Sequence, residues 1–294
     1  MQADNKLGFE PFEIPVDGYK VRAYSLGSGD KVLMMIHGGP GFPSNYLQDS
    51  HAIFSTLGYR VVTWDQLGCG ESDKPNDETL WNLPRFVEEV ETVRQSLELG
   101  AVHLLGQSWG GALGLEYCLK YQDNIKSFIM ANSTPSVPLM QSGFERLRLG
   151  LGLETCTMMS RREAEGSTHH PEYQAAATLL FYRHICRTEN WSEAMQYCCN
   201  NIAKPVWDAM FGGQVFKCDG KLKHWDRSND LAQLKKPVLI IQGEYDEIIP
   251  DCAALAHRNL PNSEFVLFRD CSHMPFYENP SLYQEVVSKF LAKY

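Results

Sequence analysis

The feature that most constrains this chain is a rhythm that starts, breaks off and resumes. Short runs rich in β-branched and aliphatic residues, at 31–36 (KVLMMI), 60–64, 102–106 and 126–131, alternate with amphipathic stretches over the first 135 residues. Between the second and third runs, Phe86, Val90, Val93 and Leu97 recur at helical spacing, as a helix packed on a mostly parallel sheet requires. The rhythm returns at 237–242 and 264–268, with a closing helix expected over 281–291. From about 135 to 230 the strand pattern is absent, and PEYQAAATLLFYRHI, WSEAMQYCCN and PVWDAMF read as helices between polar loops. The prediction is an α/β core in two parts, 1–135 and 231–294, with a helical cap inserted at 136–230. Such a cap lies over the carboxyl edge of the strands, where open α/β sheets place their ligands. A length of 294 residues suits one domain with a sizeable insertion as well as two domains.

Composition narrows the function classes. The chain is 44% apolar and 21% charged, an ordinary globular balance. Its net charge of -9 and the absence of any basic run longer than Arg161-Arg162 or Lys235-Lys236 argue against a nucleic-acid partner. The first twenty residues hold Asp4, Glu10 and Glu13 and lack the apolar core of a signal peptide, and no later run approaches about 18 apolar residues. A cytoplasmic protein with no membrane partner is expected. Nine cysteines, scattered without a C-x-x-C pair, are expected as free buried thiols, with no metal site.

The chemistry concentrates at the ends of the apolar runs. After VHLLG comes GQSWGG, residues 106–111, and then the helical ALGLEYCLKY. Gly106-x-Ser108-x-Gly110 between a strand and a helix is a nucleophile elbow, in which small flanking residues let the chain turn sharply enough to lift the serine hydroxyl clear of the sheet. A serine hydroxyl needs a base, and the base needs a partner that fixes its tautomer. In elbow folds these follow in the order Ser, acid, His. Of nine histidines only His257 and His273 lie late enough; His257 falls in a helical stretch, whereas His273 follows the last apolar run in FRDCSHMPF. For the acid, Glu244, Asp246, Glu247 and Asp251 all follow PVLIIQG, and Asp246 has the short side chain and the position near the strand end. HGGPG, residues 37–41, places backbone N–H groups beside the elbow as oxyanion donors, with the N–H of Trp109 as the second. Trp109, Trp191, Trp207 and Trp225 are candidates for lining a pocket or for packing between cap helices.

HGGPG, WDQLGCGESDKP (64–75), GQSWGG, GEYDE and RDCSH together resemble the proline iminopeptidase family of α/β-hydrolases, and the resemblance extends to RREAEG (161–166), PEYQAA (171–176) and HWD (224–226). It implies an α/β-hydrolase fold and a cofactor-free serine peptidase that removes an N-terminal residue, often proline, from short peptides, or an amino-acid amidase. It also implies a Ser108, Asp246, His273 triad with oxyanion donors at Gly39 and Trp109. The family grips the substrate's free amine with acidic side chains, one directly after the triad aspartate, which here is Glu247. Another lies in a cap segment resembling N-G-P-x-E-F, which here is FGGQVF (211–216), with Val215 at the glutamate position. The substrate-contacting residues expected are therefore Gly38, Trp207, Val215 and Glu247.

The valine leaves three readings open. One acid suffices, or Gln214 or Asp208 substitutes, or the substrate is not a peptide with a free amino terminus. Two functions follow: hydrolysis of an amide next to an N-terminal amino acid through an acyl-enzyme, or hydrolysis or acyl transfer on an ester or amide of a small biosynthetic intermediate. A catalytically silent binding protein is disfavoured because every chemical position is filled. Epoxide-hydrolase chemistry is disfavoured because α/β-hydrolases of that kind generally carry an aspartate nucleophile where this chain has Ser108.

Overall fold

The computed structural model describes residues 7–214 and 216–294. Eight strands form one sheet: β1 (Glu10–Val16), β2 (Tyr19–Leu26), β3 (Lys31–Ile36), β4 (Tyr59–Asp65), β5 (Val102–Gln107), β6 (Ile125–Ala131), β7 (Val238–Gly243) and β8 (Ser263–Phe268), in the order β1-β2-β4-β3-β5-β6-β7-β8. β1 and β2 pair antiparallel with each other, as do β2 and β4, and every other pairing is parallel. Helices α1 (Asn45–His51), α2 (Leu83–Ser96) and α3 (Trp109–Lys120) connect the first strands. Between β6 and β7 come α4 (Val137–Leu149), α5 (Leu153–Ala164), α6 (Pro171–His184), α7 (Glu193–Asn200) and α8 (Lys204–Met210). Helix α9 (Pro250–Asn259) joins β7 to β8, and α10 (Pro275–Glu278) and α11 (Pro280–Leu291) close the chain.

Alternation along the strands divides the core in two. Met34, Ile36, Val62, Trp64, Leu104, Met130 and Ile240 face one cluster with Phe86 and Val90 of α2, Leu113 of α3 and Ala253 of α9. Their neighbours Leu33, Met35, Val61, Leu105, Ile129, Leu239 and Ile241 face the other, with Tyr46 and Leu47 of α1 and Val287 and Phe290 of α11. With helices on both faces, β5 and β7 are buried along their whole length, which is why neither shows a polar-out alternation, and the polar His103, Gln107 and Gln242 are buried with them. Each such side chain taken fully out of water contributes about 1.5–3 kcal/mol.

The β1–β2 hairpin is an element that the strand pattern did not announce. In β1 only Ile14 and Val16 are buried, and Pro11 and Pro15 lie in an edge strand, where a missing N–H is tolerated. The signal that marks the hairpin is Asp17-Gly18: both have positive φ, 51° and 83°, the two-residue turn that Asp-Gly favours, and Val16 pairs with Tyr19 across it.

The strand order sets the place of the site. From β3 the chain runs to β4 on one side and returns to β5 on the other, so a crevice opens at the carboxyl ends of β3 and β5. The helices α4–α8 leave and rejoin the core through a narrow neck, where Ser136 bridges Asp226, the Val137 N–H donates to Trp225 O (2.9 Å), and the Arg227 N–H donates to Pro135 O (2.8 Å). The Ser136 side chain also caps α4 by accepting from the Leu139 N–H, the type of cap that contributes about 1 kcal/mol.

Candidate active site

Ser108 stands between β5 and α3 with φ 57° and ψ -123°, a left-handed backbone on a non-glycine residue. Such a conformation costs on the order of 1–3 kcal/mol and persists only where its surroundings fix it. Here its N–H donates to Ala131 O (3.0 Å), and its carbonyl accepts from the Gly111 N–H (2.9 Å) and the Ser133 hydroxyl (2.7 Å). The flanking glycines are required by contact. A Cβ on Gly110 would lie 2.1 Å from Ile36 O, and one on Gly106 would lie 2.1 Å from Gly110 O. The start of α3 therefore presses directly on the ends of β3 and β5, and Ser108 is carried at the crest of the turn.

Asp246 follows β7 and is buried. Its Oδ1 accepts from His273 Nδ1 (2.7 Å) and from the Ile248 N–H (2.9 Å), and its Oδ2 accepts from Asn132 Nδ2 and Gln242 Nε2 (2.7 Å each). Four donors on one carboxylate fix its position. His273, in the loop after β8, is held from behind: its carbonyl accepts from Gln107 Nε2 (3.3 Å), while Ser272 next to it is tied through its N–H and hydroxyl to Glu278 (2.7 and 2.6 Å). Burial pulls the imidazole down, yet the charge and hydrogen bond of Asp246, with Glu247 and Glu278 beyond, take it up to about 9. Asn132, Gln242, Gln107 and Glu278 are the supports that the sequence did not flag. They come from four different elements, although the position of Gln107 inside the elbow and of Gln242 at the end of β7 were available clues.

The 37–41 loop is built as rigidly. His37 is buried and neutral, because desolvation lowers its pKa. Its Nδ1 donates to Gly38 O (2.9 Å) and its Nε2 accepts from the Gln66 N–H (3.0 Å). The Gly38 N–H donates to Tyr46 Oη (2.7 Å), which donates to Gln107 Oε1 (2.7 Å), so the loop, the elbow and the His273 loop share one network. Gly38 is thus occupied at both its N–H and its carbonyl and does not line the cavity; its place is in positioning the loop. Gly39 does line the cavity, and among the described residues its N–H has no acceptor. Trp109 opens α3, so its N–H has no intrahelical acceptor. These are two unspent donors on the wall beside Ser108, as an oxyanion hole requires.

The cavity over the crevice has a volume of about 410 Å³ and is walled by both the core and the inserted helices. Ser108, His273, Glu247, Gly39 and Trp109 line it on the core side. On the other side Trp207 stands in a run of rings: Phe42 stacks on Trp207 at 6.4 Å, Trp207 meets Phe211 at 4.8 Å, Phe211 meets Phe144, and Phe216 joins Phe144 to Phe181. Glu247 Oε1 lies 3.7 Å from His273 Nε2, and burial pushes its carboxyl up to about 7, against the downward pull of His273. Glu247 is the one carboxylate among the described lining residues. Of the other residues expected here, Trp191 and Gln214 reach the cavity. Trp225 turns away to donate to Glu116 (2.6 Å), and Asp208 pairs with Lys204 and is not among the lining residues. Val215 lies outside the described residues. Glu244 and Asp251 pair with Arg269 and Arg146 (2.8 and 3.1 Å), and His257 bonds to Ser263 (2.8 Å).

Comparison with known proteins agrees with this fold. Residues 31–280 match the family model described as alpha/beta hydrolase fold. A proline iminopeptidase of Elizabethkingia meningoseptica is 31% identical over 287 residues, covering 96% of each chain. Among solved structures, the proline iminopeptidase of Mycobacterium smegmatis superposes with a TM-score of 0.90 at 29% identity, over 97% of this chain and 98% of that one. VinJ superposes with a TM-score of 0.92 at 26% identity, with the same coverage. The chain belongs to the α/β-hydrolase family, with the proline iminopeptidases among its relatives, and is a hydrolase of that fold.

Proposed function

We propose that the protein is a serine hydrolase that cleaves the bond joining an amino acid with a free amine to a bulky apolar group, through an acyl-enzyme. The observation that carries this reading is the carboxylate of Glu247, the one carboxylate among the described lining residues, beside His273 and facing an aromatic wall. A carboxylate about 4 Å from an ammonium in a partly dry pocket is worth several times what it is in bulk water, and aromatic faces add to the attraction. The cavity is of the size that holds a drug-sized ligand and exceeds what one small residue needs.

The Ser108 hydroxyl attacks the acyl carbon as His273 Nε2 takes its proton, with Asp246 holding the proton on Nδ1. The carbonyl oxygen becomes an oxyanion toward the N–H groups of Gly39 and Trp109, each such donor being worth about a hundredfold to a thousandfold in rate. His273 then protonates the departing amine or alcohol, and water, activated by the same imidazole, releases the amino acid from Ser108. A panel of aminoacyl naphthylamides tests the reading. Turnover is expected with free amines, is lost in Ser108→Ala, and falls on N-acetylation; equal rates for free and acetylated substrates would refute amine recognition.

A second reading, hydrolysis or acyl transfer on an ester or N-acyl amide of a small biosynthetic intermediate, is favoured by the apolar extent of the wall. It predicts faster turnover of acyl esters than of any free-amine amide in the same panel.

A further inference from the structure

His273 lies between two carboxylates, one at each ring nitrogen. Asp246 holds Nδ1 at 2.7 Å and is fixed there by Asn132, Gln242 and the Ile248 N–H, so it cannot serve Nε2. The nitrogen that must take the proton of Ser108 has Glu247 Oε1 at 3.7 Å instead. Glu247 is held at that distance by its backbone, whose N–H donates to His184 O at the end of α6 (3.1 Å). The cavity lining contains no lysine or arginine among the described residues, so the positive charge that balances Glu247 in the empty site is the proton on His273 itself.

Building on the free-amine reading, we propose that Glu247 couples amine recognition to activation of the base: the ammonium of the substrate takes over Glu247, and the proton on His273 Nε2 leaves to solvent. The exchange balances, because one positive charge enters as R–NH3+ and one leaves as H+. The substrate thereby turns a resting imidazolium into the free imidazole that Ser108 needs, and ligands without an amine meet a protonated, inactive base.

The other ionisable groups around the pair leave this exchange to Glu247 and His273. His184 is kept neutral by burial, with the positive charges of Arg183 and Arg187 acting in the same direction, and its Nδ1 donates to Tyr245 O (2.7 Å). Glu278 on α10 is tied to Ser272 and the Arg187 N–H and adds to the field that keeps His273 charged. Cys199, on the cavity wall, is pushed up to about 11 by burial and stays a thiol. With Glu247 raised to about 7, chiefly by burial, and His273 at about 9 once its carboxylates outweigh burial, the empty pair between those values is a carboxylate facing an imidazolium.

Two measurements test the coupling. The first is the rate at which a neutral alkyl fluorophosphonate phosphonylates Ser108 as a function of pH: the serine oxygen bonds to phosphorus, fluoride departs, and the serine proton goes to His273. In Glu247→Gln the acid limb of this profile moves down by about one pH unit or more. The variant therefore reacts about ninefold or more faster than wild type at pH 7, and no faster at pH 10. Superimposable profiles would overturn the coupling. The second, which keeps Glu247 in place, is calorimetry of Ser108→Ala with an aminoacyl naphthylamide that wild type turns over, in buffers of different ionisation enthalpy. Near pH 8, where about half of the free amine is neutral and takes up a proton on binding, the net release is about half a proton, against net uptake without the coupling, and the N-acetylated compound releases none. Binding of the amine without proton release would overturn the coupling. Loss of free-amine preference in Glu247→Gln with an unmoved phosphonylation profile removes the coupling and leaves amine recognition standing; an unchanged preference removes amine recognition itself.

Discussion

At the scale of single residues, the core side of the site is an arrangement of groups tied to one another by hydrogen bonds, with two backbone donors left over on the cavity wall. Asp246 has four donors and Gly38 is engaged at both ends, while the N–H groups of Gly39 and Trp109 are left over. Replacing Ser108 by alanine is expected to lower kcat by about a millionfold, to the level that binding and oxyanion donors alone sustain, read by turnover of a naphthylamide. Asn132 has φ 49°, so Asn132→Gly keeps the backbone and removes the side-chain donor to Asp246 and to Ser272 O. Loss of a hydrogen bond to a charged group costs about 1.5–3 kcal/mol, and a fall in kcat of about tenfold with KM nearly unchanged is expected. The proposed set of Ser108, Asp246 and His273 could be read from the sequence because elbow chemistry fixes residue type and order. Asn132 could not, because its partner lies 114 residues away and only the pairing of β6 with β7 brings the two together.

At the scale of elements, strands buried on both faces were legible as apolar runs, and their bounds in the structure differ from the sequence reading by a residue or so at either end. The hairpin β1–β2 was missed because an edge strand buries little, although its Asp17-Gly18 turn was a readable sign. Helices α4 and α5 were equally unannounced, since α5 buries little beyond Met159 and its apolar periodicity is correspondingly faint. The junction of β5 with α3 is the element on which the site depends most. Gly110→Ala puts a methyl group 2.1 Å from Ile36 O, a backbone atom that β3 cannot withdraw. A loss of about 3 kcal/mol or more is expected, read as a Tm lowered by roughly 6–12 °C in a circular-dichroism melt. The aromatic wall belongs to this scale too. Phe42, Phe144 and the pair Phe211 and Phe216 come from three stretches of chain, and each looks in the sequence like an ordinary core residue.

At the scale of the whole molecule, one sheet edge and one set of inserted helices enclose a cavity whose charge, among the described residues, is set by a single carboxylate and a single imidazole. This predicts a pH dependence of recognition. The carboxyl of Glu247 is raised by burial to about 7, so the anionic form that grips an ammonium is present above that value and lost as pH falls through it. KM for a free-amine substrate should therefore climb below about pH 7 in wild type and stay flat in Glu247→Gln, as steady-state kinetics across pH would show. The central claim, that this hydrolase selects an amino acid by its free amine, is tested most directly by kcat/KM for one aminoacyl naphthylamide and its N-acetyl derivative on the wild-type protein. Acetylation is expected to cost about ten- to a hundredfold, the worth of a charge-assisted contact at a partly buried carboxylate. Equal values for the two compounds would contradict the claim.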